Sequence, residues 1–194
     1  MIEQLRQGLV VDVTADGIAR ALTDVDGDIA ADDLARVSEV LAEFIHRVPD
    51  AIGEGLAMSK DPRCGRAIAF AVGSILTYVF DPDDLLSESG HGDLGLLDDA
   101  YLVHTFVGQL AAMYPFASTG SHEPPGLEVM RAVAAILPDG IAPSLARTCD
   151  TILHVAQALF VAGADGGGAA VPEVELQLRV AEAVHAMNDP ESVS

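Results

Sequence analysis

The chain has 194 residues, half of them hydrophobic, with 30 acidic against 10 basic residues and a net charge of −20. A length and apolar content of this kind provide one large domain or two small ones with ample core. The negative field repels nucleic acid and anionic lipid, which argues against a direct nucleic-acid role and leaves a cationic partner or metal allowed.

Lys60 is the sole lysine, the other nine cations are arginine, and tryptophan is absent. Cys64 and Cys149 are far apart with no CxxC, which reads as two reduced, buried thiols in a cytoplasmic protein. The opening MIEQLRQGLVVDV has no basic stretch leading into a long apolar run and does not read as a signal peptide. A membrane span needs about 20 apolar residues. Ala67 to Phe80 is shorter and holds Gly73, Ser74 and Thr77, while the uncharged stretch Ala100 to His122 is cut by Pro115 and Gly120. Neither reads as a span.

In chain order, Thr14 to Thr23 is a short helix with Thr14 as its cap, and Asp24 to Asp28 is a turn. Ala31 to Arg47 is a helix. Leu34, Val37, Leu41, Phe44 and Val48 recur at steps of three and four, the mark of one buried face, and Pro49 ends it. Asp50 to Met58 is a weaker helix, diluted by Gly53 and Gly55. Cys64 to Phe80 and Asp99 to Met113 are apolar nearly all round and are expected to form a central hydrophobic hairpin. Between them lies DPDDLLSESGHGDLGLLDDA, with a helical turn over Pro82 to Leu86 and a glycine-rich loop. The stretch 115–125, PFASTGSHEPP, has linker composition. Gly126 to Leu137, Pro143 to Ala162 and Pro172 to Met187 are helices, separated by Pro138-Asp139-Gly140 and by a flexible loop over Gly163 to Ala170.

No segment alternates with a period of two, so the expected fold is all-α, a bundle of seven to nine helices. The organisation reads as N-terminal helices over 1–48, a helical core over 49–114, a linker over 115–125 and C-terminal helices over 126–194, or as one continuous domain.

Residues from Phe44 to about Leu110 carry a resemblance to the YkvA-like family, a bacterial helical domain of unknown function. The residues are Pro82, Asp84, Leu85, Gly95 and the Asp98-Asp99-Ala100 step, with Asp61-Pro62-Arg63 upstream. Where that family continues Asp-Leu-Ile-Pro-Asp and then Ile-Pro, this chain has Asp84-Leu85-Leu86-Ser87-Glu88 and lacks both prolines. The resemblance implies a helical fold and, for some relatives, membrane association; it implies no reaction. Asp26-Gly27 and Asp165-Gly166, each ahead of an acidic helix, resemble the TerB-like tellurite-resistance family more loosely.

Several groups have side chains suited to chemistry. Asp83, Asp84, Asp98 and Asp99 read first as carboxylates at helix starts, capping free N–H groups and complementing the dipole. If the two central helices pack antiparallel, the same four, with His91 and Asp93, would make an oxygen-rich site for Ca or Mg. Asp24, Asp26 and Asp28 alternate like the first ligands of a calcium loop, but the glycine and glutamate positions hold Ile29 and Ala35. His104 is five residues from Asp99, about 140° around a helix, so the two do not share a face. His104 and His154 read as buried or partly buried histidines. Ser74 reads as bonding back to its own helix. Arg63 and Arg66 flank Cys64 and would lower its pKa.

No catalytic constellation appears and no cofactor is expected. The reading is a non-catalytic, cytoplasmic interaction or accessory protein acting through a protein partner or self-association. A cation-binding protein or metal-dependent hydrolase on the Asp cluster, and a peripheral membrane-associated factor, are the alternatives.

Overall fold

The computed structural model describes residues 13–25, 29–79 and 92–164. Among the described residues the chain is all-α, with no strand. The helices are α1 (Ala15–Val25), α2 (Ala31–His46), α3 (Val48–Met58), α4 (Gly65–Val79), a 3-10 helix (Gly92–Leu96), α5 (Leu97–Met113), α6 (Leu127–Ile136) and α7 (Ile141–Ala164). The stretches 82–86 and 172–187, expected as helices, lie outside the described residues.

Local signals place most of these boundaries. The Thr14 hydroxyl accepts from the Gly17 N–H at 3.0 Å and so caps α1. Pro49 falls at the start of α3, where its missing N–H costs nothing, and Arg47 alone separates α2 from α3. On α2, Leu41, Phe44 and Ile45 are buried, and Leu34 and Val37 pack against the core.

The body is organised on α5. Leu97, Ala100, Leu102, Val103, Phe106, Val107 and Leu110 are all buried along it, as expected of a helix that is apolar on every side. It touches α2, α3, α4, α6, α7 and the 3-10 helix. The expected central hairpin is not confirmed among the described residues. α4 and α5 do meet, but each packs more widely on α7 than on the other, and residues 80–91 between them lie outside the described residues. α7 seats Leu145, Cys149, Ile152, Leu153 and Ala156 against that pair. The expectation missed this because α7 is polar on its outer face and reads locally as a peripheral helix.

Among the described residues no helix is long and apolar enough to cross a membrane.

Candidate functional site

Glu54 is an acidic side chain in the core. On α3, Val48, Ala51, Ile52, Gly55 and Met58 are buried. Glu54 lies three residues after Ala51 and four before Met58, so helical geometry carries it onto the same face. It is 1% exposed. A buried carboxylate is costly unless it is fully hydrogen-bonded.

The partners come from Ser118-Thr119-Gly120-Ser121. Glu54 Oε1 accepts from Ser118 Oγ at 2.8 Å, from the Thr119 N–H at 2.7 Å and from the Gly120 N–H at 3.2 Å. Glu54 Oε2 accepts from Ser121 Oγ at 2.5 Å, from the Ser121 N–H at 3.3 Å and from the Thr119 hydroxyl. Three successive backbone N–H groups can point at one anion only if the chain curls, and Gly120 supplies the turn with φ 68°. Burial would raise the pKa of Glu54, but the bonds from Ser121, Thr119 and Ser118 outweigh it and hold the group at about 2.

The same segment is fixed on either side. At its start, Arg63 donates to the Phe116 carbonyl at 3.0 Å and lies 4.3 Å from the centroid of the Phe116 ring. Asp61 holds that guanidinium with contacts of 2.9 and 2.5 Å. Tyr114 meets Phe116 and Phe160 edge-on, at 6.2 and 5.5 Å between centroids. At the far end, Arg47 donates to the Glu123 carbonyl, and the His122 ring stacks on His104 at 5.4 Å with 15° between planes. His104 in turn donates from Nε2 to the Phe44 carbonyl at 2.9 Å. That carbonyl lies in the last turn of α2, where helix carbonyls need outside donors. Since a carbonyl only accepts, Nε2 carries the proton and Nδ1 does not. Residues 114–123, which take in most of the linker expected over 115–125, therefore form a strap pinned by Arg63, by Glu54 and by the His104 and Arg47 end.

Glu54 is an acceptor with every oxygen engaged, which leaves it no capacity as a base. The three hydroxyls donate to a carboxylate rather than to an imidazole, so they are not arranged as activated nucleophiles.

Of the residues singled out in the sequence, Asp98 and Asp99 are buried, 0% and 5% exposed. They occupy the second and third positions of α5, because the 3-10 helix runs straight into it and Leu96 takes the cap position. They lie in the positive first turn as expected, but not as the residues that open the helix. Both are engaged in interactions there. Asp83, Asp84 and His91 lie outside the described residues, as do Asp26 and Asp28. Among the described residues no group of three or more His, Cys, Asp and Glu side chains is disposed to hold a metal ion.

His104 is buried as expected, whereas His154 is exposed on the outer face of α7. Ser74 donates back to the Phe70 carbonyl at 3.0 Å. Cys64 and Cys149 are buried free thiols, as expected; the lowering of the Cys64 pKa expected from its flanking arginines does not occur, because burial, with Asp61 nearby, raises it against the weaker opposing pull of Arg63. A shallow groove between α1 and α2, lined by Asp16, Arg20, Thr23, Asp24 and Leu34, has part of its polarity satisfied within α1.

Glu54, Ser118, Thr119, Ser121 and His122 were missed in the sequence. The available signal was a glutamate on the apolar face of a weak helix, together with a hydroxyl-rich, glycine-containing segment free of charge. No protein-family model, curated protein or solved structure matches this chain.

Proposed function

We propose that the protein is a non-catalytic helical interaction or accessory module that presents the strap 114–123 to a protein partner. The observation that carries this is an irregular segment pinned at three points, with Tyr114 buried at its start while Phe116 stays 45% exposed. A rigid scaffold holding a loop in one conformation lowers the ordering cost of binding. Interface centres are depleted of charge and enriched in aromatic residues. From Tyr114 to His122 the strap has no Asp, Glu, Lys or Arg, on a chain whose net charge is −20. That net charge opposes close approach of a second copy and favours a partner with a cationic rim around an apolar centre.

The test is affinity capture from the source cells with wild type, Phe116→Asp and a distant surface control such as Val40→Asp, all three checked for equal melting temperature. The expected result is a protein retained by wild type and the control and lost with Phe116→Asp. Identical captured sets, or no protein above background, would remove the proposal.

A further inference from the structure

The strap's far end rests on two stacked imidazoles, one from α5 and one from the strap itself. His104 is 2% and His122 is 8% exposed. Among the described residues, His104 Nδ1 and His122 Nε2 are buried without a hydrogen-bond partner. Adding a proton to either ring creates a buried N–H⁺ with no acceptor. Adding one to both puts like charges on rings whose centroids are 5.4 Å apart.

The surrounding charges are few. Arg47, at the junction of α2 and α3, opposes protonation of both rings, whereas Asp50 and Glu54 on α3 favour it at His122. From α2, His104 meets the Phe44 ring, 4.5 Å between centroids, and the Phe44 carbonyl. Desolvation comes first for both histidines and lowers both pKa values. Glu54 remains ionised until about pH 2, so the clamp and the histidine pair respond to acid in different ranges.

We infer that the His104–His122 stack is an acid-sensitive latch, in which protonation of the buried rings frees the strap from residue 122 onward while the Glu54 clamp still holds residues 118–121. Arg47 adds to the repulsion, its solvent-exposed bond to the Glu123 carbonyl is exchanged for water, and the departing His122 gains water for its charged ring. The site presented to a partner then changes shape with pH. That consequence rests on the proposed function; the release does not, and it is measured without a partner.

Both native cysteines are buried, so one introduced at Glu123 can be spin-labelled selectively. Only the backbone of Glu123 is used by Arg47. Electron paramagnetic resonance of the labelled Glu123→Cys protein is recorded from pH 7 to pH 4, alone and with His122→Phe, which keeps a stacked ring and removes the proton. The expected result is an immobile label at pH 7 and a mobile component exceeding half the signal at pH 4, with at least a fivefold smaller change in His122→Phe. An unchanged spectrum at pH 4, or an equal change in both proteins, would overturn the latch. Should His122→Phe fail to fold, NMR titration of the wild-type rings decides instead. Titration of both below their ordinary midpoint, together with loss of the His104–His122 ring contacts, upholds it; protonation with those contacts intact overturns it. Loss of partner capture with the latch intact would instead strike only the proposed function.

Discussion

Replacing Glu54 probes the clamp directly. Six donors converge on its two oxygens, three backbone N–H groups and three hydroxyls. A hydrogen bond to a charged group contributes ~1.5–3 kcal/mol, but a carboxylate offers only about four lone-pair sites, and burying it costs several kcal/mol. In Glu54→Ala the strap can open and return its donors to water, so the expected net loss is ~2–4 kcal/mol. Glu54→Gln separates charge from shape. With its amide oxygen in the Oε1 position it keeps the bonds from Ser118 Oγ and from the N–H groups of Thr119 and Gly120. Its amide nitrogen then faces the hydroxyls of Thr119 and Ser121, which can turn to accept, and the Ser121 N–H, which cannot. The expected loss is ~1–2 kcal/mol. Urea denaturation gives both values, and amide exchange of residues 119–121 reports the strap itself. Protection there should fall in Glu54→Ala while the α5 amides stay protected. A Glu54→Ala protein within about 0.5 kcal/mol of wild type, with residues 119–121 still protected, would refute the reasoning.

The other predictions concern backbone, thiols and pH. Gly120→Ala meets no neighbour but must hold φ 68°, so it should cost ~1–2 kcal/mol in denaturant titrations. Gly65→Ala would place its Cβ 2.3 Å from the Ser59 carbonyl oxygen and should lose ~1–3 kcal/mol or fail to fold, whereas Gly73→Ala, in open space on α4, should gain ~0.5–1 kcal/mol. Burial raises the Cys64 thiol and pushes that of Cys149 to about 12, so at pH 8 neither should react with a thiol reagent at more than a small fraction of the rate seen in denaturant. His104 is lowered from 6.5 to about 4, chiefly by desolvation. The unfolded chain therefore binds the proton first on acidification, and stability that is complete above the unfolded pKa falls as pH drops through that interval. The drop corresponds to ~3 kcal/mol. His104→Gln, which can still donate to the Phe44 carbonyl, should flatten that slope in stability measured against pH.

Much of the helical framework is legible locally. The three-and-four spacing on α2, the Thr14 cap and Pro49 all act over a few residues, and each marks a boundary that the structure keeps. Asp98 and Asp99 announce a helix start, but not that a 3-10 helix runs into it and moves the cap to Leu96. The charges beside Cys64 and its buried character are both visible in the sequence, but not which of the two sets the thiol pKa. Strap and linker share one composition, because proline, glycine and serine punctuate a chain whether or not it is anchored. What anchors 118–121 is a carboxylate more than sixty residues earlier, and no local pattern connects them. The same holds for α5, whose apolar circumference predicts burial but not which helices surround it.

The most direct measurement is the carboxyl ¹³C shift of Glu54, followed by NMR as the protein is acidified. A clamped carboxylate should stay ionised well below the ordinary value of 4.5 and titrate near 2. A midpoint at or above 4.5 would show that the strap does not hold it, and the pinned segment on which this account rests would be gone.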